Sequence, residues 1–175
     1  ADGSSWSKVI VQLQAKDYNV IAVQNPLTSL ADDVTATRRA FAQLDAPILL
    51  VAHSYGGMVI SEAGNDPKVA GLLYIAALVP EEGQSANDVN AAMPTTGVER
   101  EFVVSGDAFV SLSMKAMNEH FVPDASPEER KLIYATQVPL AASAGEERVH
   151  HPAWKTKPSW YIVAAQDPVI SPDLE

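Results

Sequence analysis

The chain has 175 residues, 47% of them apolar and 19% charged, and a net charge of −10. This length supports one domain with a sizeable core, and the composition is that of a globular rather than a disordered chain. The acidic balance disfavours nucleic acid and anionic membranes as partners. No apolar run is long enough to cross a bilayer, and the absence of Cys removes disulfides, thiol catalysis and Cys-ligated metals.

The opening Ala1 to Ser5 reads as a loop, with Ser5 as cap of a helix from Trp6 to about Ala15. Trp6, Val9, Ile10 and Leu13 recur at helical spacing and predict one buried face. Tyr18 to Val23 reads as a strand, and Asn25 to Ser29 as a loop. Ser29 is the expected cap of a helix from Leu30 to Leu44, with Asp32 and Asp33 in its first turn, where the helix dipole favours them. Asp45-Ala46-Pro47 ends it. Ile48 to Val51 is then a strand, followed by a turn and a helix from Met58 to about Ala63, which Gly64-Asn65-Asp66-Pro67 stops. Val69 to Val79 is a nearly unbroken apolar run that predicts a strand buried on both faces. The alternation of helix and strand argues for a parallel sheet with right-handed crossovers.

Residues 84–157 interrupt that alternation with several prolines and mostly helical segments. Ala108 to Glu119 and Pro127 to Gln137 read as helices, the second capped by Ser126, and Glu101 to Val104 as a short strand. The region is expected to lie over the sheet as a mainly helical cap or lid inserted into a core of residues 1–83 and 158–175. Ser159 to Ala165 returns to the sheet, Gln166-Asp167-Pro168 turns, and Ser171 to Glu175 reads as the start of a helix. The fold class is therefore α/β: a mostly parallel sheet with helices on both faces, plus the cap.

The chemistry centres on Ala52-His53-Ser54-Tyr55-Gly56-Gly57, between a strand and a helix. This is the G-x-S-x-G nucleophile-elbow pattern with Ala52 in place of the first glycine. A serine attacks well when it projects from a tight turn, and such a turn needs small neighbours, here Ala52 and Gly56. The N–H of Tyr55, at the start of the helix, is the expected oxyanion donor. Asp167 lies just past a strand, at the sheet edge where Ser54 also lies, and is the expected orienting acid. A base is required between them. His53 reads as a packing or hydrogen-bonding residue, while His120, His150 and His151 fall in the cap and precede Asp167. The general base is therefore expected to lie beyond Glu175. No metal-ligand spacing is present, and the reading needs no cofactor.

The segments ADGSSW (Ala1 to Trp6), AHSYGG (Ala52 to Gly57), YIAALVP (Tyr74 to Pro80), FVPDASPEE (Phe121 to Glu129) and AAQDPVISPDLE (Ala164 to Glu175) resemble the α/β-hydrolase superfamily. Within it they are similar to bacterial esterase-like proteins related to plant methylesterases and hydroxynitrile lyases. The resemblance implies a serine carboxylesterase acting on small or medium apolar or aryl esters through Ser54, Asp167 and a histidine absent from this chain. It also implies an incomplete core, lacking a first strand with its His-Gly loop and the C-terminal segment with the catalytic His. Two alternatives stay open: a hydroxynitrile-lyase-like C–C lyase, and an inactive fragment or binding protein. Phe102, Phe109, Phe121 and Trp154 are apolar cap residues that suit an apolar substrate. An exposed sheet edge is expected to favour a homo-oligomer.

Overall fold

The computed structural model describes residues 2–92, 97–167, 169 and 170. A short 3-10 turn at Gly3–Trp6 leads into helix α1, Ser7–Gln14. The turn is capped by Asp2, whose side chain accepts from the Ser4 N–H, and not by Ser5. No α1 residue is fully buried, and Val9 and Val11 are largely exposed. Of the predicted face, Trp6, Ile10 and Leu13 are half-buried and Val9 is exposed, and α1 packs chiefly on the turn before it. Tyr18 to Val23 is likewise not a strand. An extended segment becomes one only with a neighbour to accept and donate its backbone hydrogen bonds, and no described strand pairs with it.

Helix α2, Leu30–Phe41, begins as the sequence predicts: Ser29 accepts from the Asp32 N–H, and Asp32 and Asp33 occupy the first turn. Strand β1 is Ile48–Ser54, helix α3 is Gly56–Ala63 and strand β2 is Val69–Ala77. After β2 come helix α4, Ala86–Ala91, strand β3, Phe102–Val104, and strand β4, Phe109–Leu112. A short helical stretch, α5 at Met114–Ala116, continues into a π turn at Met117–Phe121. Helix α6, Pro127–Ala135, carries the predicted Ser126 cap, reciprocated by Glu129. Strands β5, Leu140–Ala141, and β6, Ser159–Ile162, complete the order. The predicted helix start at Ser171 lies outside the described residues.

Two sheets result. The larger is parallel, in the order β1-β2-β6, and the smaller is antiparallel, in the order β3-β4-β5. The smaller sheet overturns the helix expected over Ala108 to Glu119. Phe109-Val110-Ser111-Leu112 pairs with Phe102 to Val104 across a tight turn in which the Ser105 N–H donates to the Phe109 carbonyl. Only after Ser113, which caps the next segment, does helical backbone begin. The sequence signal was there: two β-branched and aromatic runs flank Ser105-Gly106-Asp107-Ala108, a hairpin turn composition.

Helices α2 and α3 cover one face of the parallel sheet, and the core there is Val34, Phe41, Leu50, Met58, Val59, Ile60, Leu72 and Tyr74. Alternate residues of β1 point the other way, and Leu49 and Val51 are 54% and 41% exposed. Trp160 and Ile162 of β6 are also exposed on their strand. The expectation that β2 is buried on both faces holds for one face, where Leu72 and Tyr74 are buried, and only in part for the other, where Leu73 and Ile75 are half-buried.

Candidate functional site

Parallel pairing sets the site. In the order β1-β2-β6 every strand runs the same way, so the loops after β1 and β6 open on one edge. Ser54 ends β1, and Asp167 follows β6 by five residues. With β2 between them, their strands lie two interstrand spacings apart, about 9–10 Å.

Ser54 has φ 54°, in the left-handed region that β-substituted residues avoid. The chain reaches it directly from β1 and leaves it directly into α3, for which Tyr55 is the capping residue with φ −52°. The Ser54 carbonyl accepts from the Leu78 N–H at 3.0 Å, so the turn is fastened to the end of β2. Strain of this kind persists only where the surroundings enforce it. Replacing Ser54 by Gly is therefore expected to raise stability by about 1 kcal/mol while removing the hydroxyl. A melting temperature below that of the wild type would contradict a strained turn.

The glycines divide the work differently from the sequence expectation. A Cβ on Gly56 would meet the Ala52 Cβ at 3.4 Å, an ordinary contact. Ala52 in place of glycine is thus accommodated. The severe demand falls one residue later: a Cβ on Gly57 would lie 2.1 Å from the Leu78 carbonyl oxygen. Helix α3 starts so close to the end of β2 that no side chain fits between.

The end of β2 is held by a residue that sequence reasoning missed. The Tyr161 hydroxyl accepts from the Ala77 N–H at 2.6 Å and donates to the Ala77 carbonyl at 2.9 Å. Ala76 beside it has φ 39°. Tyr161 also stacks on Tyr74, ring centroids 6.3 Å apart. Its place within an apolar strand gave no hint of this polar role.

Asp167 forms a tight turn of its own. Its N–H donates to the Ala164 carbonyl, and its Oδ1 accepts from the N–H groups of Val169 at 2.7 Å and Ile170 at 3.0 Å. His53 lies on the exposed face of β1. The protein around it pushes its imidazole below the ordinary value, while the Asp167 charge pulls the other way. The remaining histidines are elsewhere. The His150 N–H donates to Glu62, and the His151 carbonyl accepts from Asn65. Both sit at the far end of α3, about 12 Å from its start. His120 is in the π turn. Of the cap aromatics, Phe102 is exposed, Phe109 and Phe121 are half-buried, and Trp154 packs on the main core, its indole N–H donating to the Pro80 carbonyl.

Asp33 and Tyr55 influence each other's titration. Asp33 is 0% exposed, and its Oδ1 accepts from the Leu27 N–H at 2.8 Å. Burial pushes its carboxyl up, and the bond from Leu27 and the approach of Tyr55 only partly oppose this, with Asp32 and Glu147 adding to the rise. Burial and the Asp33 charge push the Tyr55 phenol up in turn. A carboxyl raised in the folded state binds its proton over a window that starts at the ordinary 3.8 and extends upward. The stability it confers is therefore full below that value and is lost as pH rises through the folded value. Asp33→Asn is expected to be no more stable than the wild type near pH 4, and more stable by about 1 kcal/mol above the window. Urea melts across pH check this, and a difference independent of pH would count against a raised carboxyl.

A strained serine between a parallel strand and a helix N-terminus, with an acid beyond another strand at the same sheet edge, resembles the architecture of α/β enzymes built on a nucleophile elbow. The chain belongs to the alpha/beta hydrolase family, whose model matches residues 1–175. Among curated proteins it is 50% identical over 40 residues to a carbendazim hydrolyzing esterase from Nocardioides, a match covering 22% of this chain and 16% of that protein. It is 22% identical over 182 residues to an alpha/beta hydrolase of Aspergillus novofumigatus, covering 93% of this chain and 72% of that one. Solved structures share the fold. An extracellular α/β-hydrolase from a Paenibacillus species has a TM-score of 0.77 at 19% identity, covering 92% of this chain and 72% of its own. Polyneuridine aldehyde esterase gives 0.82 at 16%, covering 99% and 79%. Tomato methylketone synthase I complexed with 2-tridecanone gives 0.80 at 19%, covering 95% and 75%.

Proposed function

We propose that this chain carries the nucleophile half of a serine carboxylesterase acting on small or medium apolar or aryl esters. The observation that supports it most is the positive φ of Ser54 between β1 and α3. Strain of this kind is concentrated at functional turns, and this one lies at the sheet edge where a serine hydroxyl would act. In this reading Ser54 Oγ attacks the ester carbonyl carbon while the imidazole oriented by Asp167 takes its proton and later gives it to the departing alcohol, and the carbonyl oxygen becomes an oxyanion held by the Tyr55 N–H at the positive end of α3. The tetrahedral adduct collapses with loss of the alcohol, and water then hydrolyses the acyl-serine. Asp167 orients an imidazole, and the 9–10 Å estimated between the strands leaves room for one. That imidazole is assigned to a histidine outside residues 1–175. Residues 84–157 act as the lid. An apolar ligand is consistent with neighbours whose names include an esterase and a complex with 2-tridecanone. No metal or cofactor takes part in the reading.

Fluorophosphonate labelling of the folded chain, with and without free imidazole, tests this. Expected is slow phosphonylation mapped to Ser54, accelerated by imidazole and abolished by Ser54→Ala. Labelling at another residue, or none at Ser54 even with imidazole, overturns the assignment. The expected partner in solution, beside the substrate, is a second copy along a free edge of the β1-β2-β6 sheet. Light scattering is expected to give a mass above one chain, and a one-chain mass at high concentration argues against it.

A further inference from the structure

Strand β3 consists of three consecutive apolar residues, and all of them face solvent: Phe102 is 45% exposed, Val103 50% and Val104 63%. The smaller sheet runs β3-β4-β5, so no described strand pairs with the outer edge of β3. Backbone parity decides what that edge offers. The Ser113 N–H donates to the Glu101 carbonyl at 3.1 Å, and the Ser105 N–H donates to the Phe109 carbonyl at 2.9 Å. Glu101 and Ser105 are thus hydrogen-bonded positions of the ladder with β4. Val103, midway between them and opposite Ser111, is the next such position. Phe102 and Val104 alternate with these, so their N–H and carbonyl groups point away from β4 and out along the free edge.

The neighbouring strand is finished differently. Leu112, opposite Phe102, turns its backbone groups away from β3 for the same reason. There the Gln137 side chain takes both: its Oε1 accepts from the Leu112 N–H at 2.9 Å, and its Nε2 donates to the Leu112 carbonyl at 3.1 Å. Val110 pairs with Leu140 of β5. Strand β3 lacks the devices that keep an edge from pairing, since no Pro, Gly or charged residue lies within it. The charge just before it, on Glu101, is matched by Lys115 at 2.6 Å. The far end of the hairpin is held by the Ala108 N–H, which donates to the Ser105 carbonyl at 3.0 Å.

We propose that β3 is a self-pairing edge, to which a second copy of this chain adds its own β3, antiparallel about a twofold axis at Val103. In this register Phe102 lies opposite Val104 of the second copy, and Val104 opposite its Phe102. The outward N–H and carbonyl groups of both strands are then all satisfied. Val103 meets its own counterpart as the non-hydrogen-bonded pair. A shift by two residues leaves one outward position of each strand without a partner in β3, and a shift by one misaligns the donors and acceptors. Each Phe102 faces a β-branched side chain, a favourable cross-strand combination, and no charge enters the pairing. The strand is short, so the contact is well below the roughly 800 Å² per partner of a standard interface and forms reversibly, with concentration. It joins the chains through residues 84–157, apart from the β1-β2-β6 sheet, and does not depend on the reading of Ser54.

Single cysteines report this register directly, because the chain has no Cys of its own. In a non-hydrogen-bonded antiparallel pair the Cα atoms are about 4.5 Å apart, within disulfide reach. Val103→Cys is expected to form a covalent dimer under mild oxidation with diamide, in a yield that rises with chain concentration. Phe102→Cys and Val104→Cys are each offset from their own counterpart by two residues, roughly 7 Å along the strand, and alone are expected to stay monomeric. Mixed, those two variants are expected to cross-link to each other. Leu132→Cys, at a position 62% exposed on α6, measures the collisional background. Should Val103→Cys unfold the hairpin, the mixed pair reads the same register independently.

Cross-linking of Val103→Cys and of the mixed pair above that background supports the proposal. Equal cross-linking of every single variant means collision or aggregation and overturns it. Dimers confined to Phe102→Cys or Val104→Cys alone mean another register and overturn the axis at Val103. A light-scattering mass above one chain, with neither Val103→Cys nor the mixed pair cross-linking, assigns association to another surface and overturns the pairing of β3.

Discussion

Gly57→Ala is expected to destabilise the chain by about 3 kcal/mol or more, enough to prevent accumulation of the folded protein. The added methyl would sit 2.1 Å from the Leu78 carbonyl oxygen, 3.0 Å from its carbon and 3.2 Å from the Ala77 Cβ. Two of those three atoms are backbone, so no rotamer change can relieve the clash. Moving Leu78 is also restricted. Its N–H donates to the Ser54 carbonyl, and Ala77 beside it is held at both its N–H and its carbonyl by Tyr161. The strain would spread into the turn at Ser54. Gly56→Ala is the matched control. Its new methyl meets only the Ala52 Cβ at 3.4 Å, and alanine favours the helix it enters. That variant is expected to stay within about 1 kcal/mol of the wild type. Urea melts of both variants check the contrast, and similar stabilities would mean that α3 and β2 are not in the close contact described.

Asp167→Asn is expected to leave stability nearly unchanged and to lower acylation of Ser54 by up to about ten-thousandfold when the histidine base is present. Asparagine keeps an Oδ1 that can accept from the Val169 and Ile170 N–H groups, so the turn after β6 survives. The negative charge that would orient and stabilise an imidazolium is lost. Asp167→Ala removes both acceptor and charge, and is expected to cost about 1–3 kcal/mol of stability besides. The same substitution has a signature in this chain. The Asp167 charge opposes the partial desolvation that lowers the His53 imidazole. Its removal is therefore expected to lower the His53 titration further, readable by NMR. A full acylation rate in Asp167→Asn with the turn intact would remove Asp167 from the reaction. An unmoved His53 would show that the ends of β1 and β6 do not converge as the parallel order requires.

What the sequence determined by itself was the local chemistry. Ser29 and Ser126 accept from the amides three residues ahead, and those caps need only their own segments. The strand ending at Ser54, the helix after it and the strand from Val69 could be read because apolar runs, small residues and a Gly-Asn-Asp-Pro stop are short-range signals. The pattern around Ser54 also implied a tight strand-to-helix turn, and the left-handed backbone there matches it.

Only the tertiary structure decided the rest. Tyr18 to Val23 has the residues of a strand and no described neighbour to pair with. Phe109 to Leu112 falls in a stretch whose residues predict a helix and is a strand, because Phe102 to Val104 lies beside it. In both cases the outcome depends on a partner segment, which propensity does not contain. The need for glycine at 57 and the hold of Tyr161 on Ala77 are through-space facts of the same kind. Each joins residues at least 20 positions apart, brought together by burial of a shared core, and a single sequence carries no direct record of such contacts.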